Sequence, residues 1–137
     1  MFKVLGIALV ALAIGLAVVP NFTDCESQGK LITLASGKTT SMKCHWAGRA
    51  EVAVALPLAV VGAAMVVSRR KQSLMTLSIV GIALGATAIS LPAFVIGTCA
   101  TPTMTCNTVM EPLVTAMGGV AAAGSLAGMV RSFKLVP

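Results

Sequence analysis

The sequence predicts an all-α fold, a bundle of four transmembrane helices, and three observations support that prediction. Of the 137 residues, 57% are hydrophobic and only 10% are charged. The mean hydropathy of +0.96 lies well above that of a soluble domain with a polar surface. The charged residues also cluster, and they leave four nearly uncharged apolar stretches that are each close to the length needed to cross the hydrocarbon core.

We place the four spans at residues 4–19, 52–67, 74–97 and 113–130, with the longer loops at 20–48 and 98–111. Helices suit such spans because each satisfies its own backbone hydrogen bonds in lipid. Lys3 before the first apolar run also fits a cleavable secretory signal, but the run is long for a signal, so we interpret it as a retained helical anchor. Residues 1–137 then form a single membrane domain.

Cations are divided unequally between the two predicted sides of the membrane. One side has no acidic residue and carries Lys3, Arg69, Arg70, Lys71, Arg131 and Lys134. The other side mixes both signs: Lys30, Lys38, Lys43, Arg49, Asp24, Glu26, Glu51 and Glu111. The positive-inside rule predicts that the purely basic side is cytoplasmic, so we expect a cytoplasmic-membrane protein with both termini inside and both longer loops outside.

The net charge of +6 is therefore a signal of topology. Cations that flank spans suit the anionic headgroups of a lipid bilayer. We expect no nucleic-acid partner, because the sequence contains no basic helix with interleaved aromatic residues.

The two halves of the chain share a short signature. Cys25 is followed by T-S-M-K-C-H, and Cys99 is followed by P-T-M-T-C-N, so each long loop ends in Met-x-Cys before a helix. An acidic residue comes a little later in each half, at Glu51 and Glu111. The pattern indicates a duplicated helical hairpin with parallel repeats.

Small residues and prolines mark the spans. Gly81-x-x-x-Gly85 and Gly124-x-x-x-Gly128 allow close helix approach, and we favour packing within the bundle over a dimerisation face. Two prolines fall inside spans, where each should kink its helix and either open a cavity beneath the loops or only tune packing: Pro57 and Pro92.

All four cysteines fall in the predicted outer loops: Cys25, Cys44, Cys99 and Cys106. Thiols on an oxidising face most often form disulfides, and four cysteines allow three connectivities. The hairpin repeat favours pairing within each loop, Cys25 with Cys44 and Cys99 with Cys106. Each bridge would contribute about 2 to 3 kcal/mol in the chain-entropy model.

A box of chemically versatile side chains ends the first loop: Met42, Cys44, His45, Trp46, Arg49 and Glu51. Trp46 is most simply an anchor at the headgroup level. A soft metal such as Cu(I) would suit a thiolate, thioether and imidazole set. That set comprises Met42, Cys44, His45, Met104, Cys106 and Met110. However, His45 is the only histidine, and a disulfide would remove Cys44 as a ligand.

A redox enzyme is the other chemical alternative. Four helices with cysteine pairs in the outer loops resemble the membrane proteins that reoxidise disulfide catalysts with a quinone. In such a protein, the positive charge of Arg49 would stabilise a thiolate or a quinone oxygen. The sequence departs from that family because it has no Cys-x-x-Cys.

The carboxylates are expected to have ordinary roles. We place Glu51 and Glu111 at the starts of helices, where a carboxylate complements exposed amides. Arg49 and Glu51 are too close in sequence to share a helix face, so Glu51 is expected to pair across the bundle. With no charge near the centre of a span, the sequence argues against an ion-coupled transporter.

The box M-K-C-H-W-A-G-R-A-E at 42–51, with the later P-T-M-T-C at 102–106, resembles a prokaryotic family of small four-helix membrane proteins. That family is catalogued as a domain of unknown function, DUF4418. The resemblance implies the four-span layout and draws attention to Met42, Cys44, His45, Trp46, Gly48 and Glu51. It also implies an accessory protein that accompanies transporter-type permeases, and it supplies no activity.

These observations predict a non-enzymatic accessory or structural subunit without a cofactor, which packs against a permease or against its own copies. The alternative is an extracytoplasmic thiol-redox protein, or a protein that handles copper or haem, centred on Cys44 and His45.

Overall fold

Four long helices form the bundle. The computed structural model describes residues 1–23, 32–33, 35–40, 43–97 and 106–134. In chain order the elements are α1 (Phe2–Thr23), β1 (Ile32–Thr33), β2 (Thr39–Thr40), α2 (Lys43–Val67), α3 (Lys71–Ser90), a π-helical segment (Leu91–Val95), a second π-helical segment (Cys106–Met110) and α4 (Glu111–Lys134). In this part of the chain, four helices are long and apolar enough to cross a membrane, which confirms the predicted architecture.

The helices extend beyond the predicted spans at the cysteine-loop end. α1 continues through Pro20 to Thr23, and α2 begins at Lys43 although the span was predicted from residue 52. Residues 43–48, predicted as loop, are therefore helical. At 25 residues, α2 is about 37 Å long, longer than a hydrocarbon core of about 30 Å, so a polar first turn fits at headgroup depth. The membrane boundaries themselves stay a prediction.

A short β-hairpin interrupts the all-helical pattern between α1 and α2. β1 and β2 are antiparallel, with Ile32 opposite Thr40 and Thr33 opposite Thr39. Gly37 lies in the connecting turn with φ of +81°, a backbone conformation that glycine adopts without steric cost. The sequence pattern does not predict this hairpin.

The helices pack as two hairpins. α1 packs most extensively against α2, and α3 packs most extensively against α4, while the contacts between these pairs are fewer. We call the end of the bundle with Met1, the 68–70 connection and Lys134 the terminal end, and the opposite end the loop end. The shared core is apolar and is formed by Leu9, Ala13, Leu16, Ala47, Ala55, Leu58, Val61, Met65, Leu74, Ala88, Met110, Val114 and Ala121.

The glycines of both predicted motifs lie inside the bundle. A Cβ added at Gly85 would lie 2.8 Å from the Gly118 carbonyl oxygen, and one added at Gly81 would meet the Ser125 hydroxyl. Gly124 and Gly128 face the Leu5 side chain of α1. Packing within the bundle, the interpretation favoured from the sequence, is confirmed for these glycines.

The two span prolines behave differently. α2 is α-helical through Pro57 to Val67. At Pro92 the helix changes to π geometry, in which the backbone N–H of Ile96 donates to the Leu91 carbonyl oxygen at 3.0 Å. Since proline has no N–H to continue the α-helical ladder, this wider turn is its local consequence.

Candidate functional site

The predicted box lies in the first turns of α2 and not in an extended loop. Met42 lies outside the described residues, and Cys44 belongs to the helix although its side chain is outside the described part. The remaining members, His45, Trp46 and Arg49, belong to the same helix as Glu51. Since an α-helix turns about 100° per residue, these side chains leave it in different directions.

Trp46 and Arg49 are on the outward side. The Trp46 side chain is 58% exposed, and Arg49 is also exposed. The His45 ring, which is partly buried, meets the Trp46 ring edge to face, with 5.6 Å between the centroids and 78° between the planes. A polar-tipped aromatic residue on the outer surface of a first turn suits the predicted anchoring at the headgroup level.

The inward side of α2 lies close against α1. Ala47 and Gly48 are buried, and a Cβ added at Gly48 would lie 2.8 Å from the Cβ of Pro20. Pro20 is itself fully buried in the last turns of α1. The absence of a side chain at position 48 is therefore what lets the two helices meet at the loop end.

Glu51 lies one turn deeper on this inward side and is 0% exposed. It is about 9 Å along the axis from His45, where the candidate span begins. Other fully buried side chains of the loop-end half are apolar, including Pro92 and Met110. The carboxyl group is thus enclosed in an apolar bundle interior.

Neither carboxyl oxygen of Glu51 has a hydrogen-bond partner within the described chain. Arg49, which points outward, is not positioned to neutralise it. The expectation that Glu51 pairs across the bundle is therefore wrong for the described residues, and so is its expected place at a helix start, because α2 begins eight residues earlier at Lys43. Glu111, by contrast, does lie in the first turn of α4.

A buried carboxyl group without a partner is costly in an apolar interior, and ionisable residues within spans mark functional sites by default. The Glu51 carboxyl group can accept a hydrogen bond from a ligand or partner that reaches the bundle interior. It can also pair with a cationic group of such a ligand or partner. In the sequence, Glu51 is in register with Ala47, Gly48, Ala55 and Leu58, at spacings of three, four and seven residues that define one helix face. Because the outward face of α2 also carries apolar residues such as Leu56 and Val60, this register does not reveal which face is buried.

Only some of the predicted metal-ligating residues have side chains in the described part of the structure. Met110 is fully buried, while Met104 and the cysteine side chains lie outside the described part. Within the residues that the structure describes, no three His, Cys, Asp or Glu side chains are grouped to hold a metal ion. Cys44 and His45 are consecutive residues of α2, and a metal site centred on them stays a prediction.

Comparison with known proteins identifies the family of the chain. No curated protein and no solved structure matches the chain. The profile of the family described as "Domain of unknown function (DUF4418)" matches residues 3–131, nearly the whole chain. The chain therefore belongs to the DUF4418 family.

Proposed function

We propose that this small multi-pass membrane protein is a non-enzymatic accessory subunit that packs against a transporter permease or against its own copies. We further propose that it lies in the cytoplasmic membrane with both termini inside and the cysteine loops outside. The orientation is supported by the six cations at the terminal end, all of them exposed.

The observation that carries the subunit role is the outward face of α4. Ala116 and Ala123 are exposed there, and a Cβ added at Gly119 between them would meet nothing within 4 Å. The spacings of three and four residues place them on one face of the helix. This small-residue face, formed by Ala116, Gly119 and Ala123, is distinct from the inward glycines of the same helix.

Small outward residues favour a protein neighbour over lipid alone. In a membrane, helices associate where small side chains let the backbones approach closely. Other outward positions instead carry bulky side chains, such as Leu56 and Val60 on α2, which are 69% and 68% exposed. The small-residue face of α4 is thus a surface that another helix can approach closely.

Replacing Gly119 with leucine is expected to weaken association by roughly tenfold, because a bulky side chain would hold a second helix away from α4. Association with copies is measured by subunit counting in lipid bilayers, and association with a permease by crosslinking in native membranes. Ala53→Leu, at an exposed position on α2, is the matched control. If both variants associated as strongly as the parent protein does, the proposed role of α4 would be contradicted.

We also propose that the two halves are a duplicated hairpin and that each outer loop is closed by its own disulfide, Cys25–Cys44 and Cys99–Cys106. The pairing of α1 with α2 and of α3 with α4 supports both proposals. In each pair of packed helices, one cysteine precedes the second helical segment in the sequence and the other lies in its first turn. Structural disulfides of this kind would restrain the loops without taking part in a redox reaction.

Non-reducing peptide mass spectrometry is expected to find these two bridges, and mild reductant is expected to leave them intact. The alternative function, a thiol-redox or copper- or haem-handling protein centred on Cys44 and His45, predicts a readily exchanging pair or stoichiometric copper or haem. Either of those results would overturn the proposal of a subunit with structural disulfides. A Cys25→Ser/Cys44→Ser variant controls for artefactual oxidation.

A further inference from the structure

The terminal end of the bundle concentrates positive charge. All six exposed cations of the purely basic side lie there: Lys3, Arg69, Arg70, Lys71, Arg131 and Lys134. The acidic residues of the described chain, Glu51 and Glu111, belong to the loop-end halves of α2 and α4. Cations gathered without acids repel one another and attract anions.

Three of these cations line one cavity of about 300 Å³, to which residues of all four helices contribute. Lys3 comes from α1, Arg69 from the connection between α2 and α3, and Lys71 from the first residue of α3. Three separate chain segments thus direct positive charge to the same space. The positive end of the α3 helix dipole adds to the field there.

The rest of the cavity wall is mostly apolar. Phe2, Met65, Val66 and Leu74 line it, together with the polar Ser68 and Ser132. The Ser132 hydroxyl donates a hydrogen bond to the Met129 carbonyl oxygen at 2.7 Å, which leaves its oxygen available as an acceptor only. Charged donors above apolar walls suit a ligand that is anionic at one end and apolar at the other.

The depth of the cavity identifies the kind of anion. Candidate spans begin at Phe2, end at Val67 and begin again at Lys71, so the cavity lies at the ends of these helices, the level at which hydrocarbon is expected to give way to headgroups. Basic clefts between helices at this level bind lipid phosphates, and guanidinium and ammonium groups donate strong hydrogen bonds to phosphate oxygens. We propose that this cavity binds the phosphate of an anionic phospholipid headgroup.

The test uses the full chain purified in a neutral detergent. Native mass spectrometry follows the binding of phosphatidylglycerol, with phosphatidylcholine of the same acyl chains as the zwitterionic comparison. Lys3→Gln/Arg69→Gln is expected to weaken phosphatidylglycerol binding about thirtyfold, from the usual contribution of two cations near a membrane surface. Lys3→Arg/Arg69→Lys is expected to restore it.

Arg70→Gln/Lys134→Gln is the matched control, because it removes two exposed cations from the same end without touching this cavity. Equal weakening by the two neutralised pairs would show a diffuse charge effect and overturn the site. Phosphatidylcholine that binds as tightly as phosphatidylglycerol would also overturn it. Inorganic phosphate that displaces the lipid at millimolar concentration would show a site for a soluble anion instead. If the double variant fails to fold, Lys71→Gln alone carries the same prediction at about fivefold.

Discussion

Replacing Gly62 with alanine is expected to destabilise the α1–α2 hairpin by about 1 to 3 kcal/mol, a typical cost of overpacking. A Cβ at position 62 would lie 2.7 Å from the Gly6 carbonyl oxygen and 3.0 Å from the Val10 backbone nitrogen. Backbone atoms cannot move aside as the end of a side chain can, so the two helices must separate. Alanine also gains about 1 kcal/mol as a better helix former, so the net destabilisation is expected at the lower end of this range.

Gly119→Ala is the matched control for this prediction. Nothing lies within 4 Å of a Cβ added at Gly119, so alanine there should gain about 0.5 to 1 kcal/mol from helix propensity alone. Reversible unfolding in mixed micelles, followed by circular dichroism, measures both variants. A Gly62→Ala protein at least as stable as Gly119→Ala would show that α1 and α2 are not in such close contact.

Replacing Glu51 with leucine is expected to stabilise the bundle by about 1 to 3 kcal/mol, the cost of a buried polar group without a hydrogen-bond partner. Both carboxyl oxygens lack a partner in the described chain, and leucine fills a similar volume with apolar atoms. Glu51→Gln should change stability little, because it leaves unpaired polar atoms in the same place. A residue that lowers stability in the native protein is typical of a site retained for function.

Chemical labelling separates the buried carboxyl group from the other acids. A hydrophobic carbodiimide, which reacts with carboxyl groups in apolar surroundings, is expected to modify Glu51 and to lose this product in Glu51→Gln. Glu111→Gln is the control, because Glu111 lies in the first turn of α4 and its replacement should leave the labelling of Glu51 unchanged. Loss of the Glu111 charge should reduce the stability of the protein by about 0.3 to 1 kcal/mol. If Glu51→Leu instead destabilised the protein, the carboxyl group would have a partner and would be structural.

The fold followed from the sequence because hydrophobicity and charge clustering are local properties. They were sufficient to predict four apolar helices and to place Lys3, Arg69 and Lys71 at one end of the bundle. The same local pattern marks the box around Cys44 but predicts a loop there, because the box lies outside the nearly uncharged stretch 52–67. Helix α2 in fact continues through Glu51 and Arg49 to Lys43, since one face of the helix can be polar at headgroup depth while the other is buried.

By itself, the sequence determined the membrane class, the number of spans, the charge asymmetry and the family resemblance. The tertiary structure alone decided which face of each helix is inward: that Gly62 meets Gly6, that Glu51 is buried while Arg49 is exposed, and that three cations line one cavity. The physical reason is that helices apolar on every side have no amphipathic pattern to reveal their rotation. The rotation of each helix is set instead by the close packing of small residues against neighbouring helices. These contacts between helices cannot be read from a single amino-acid sequence.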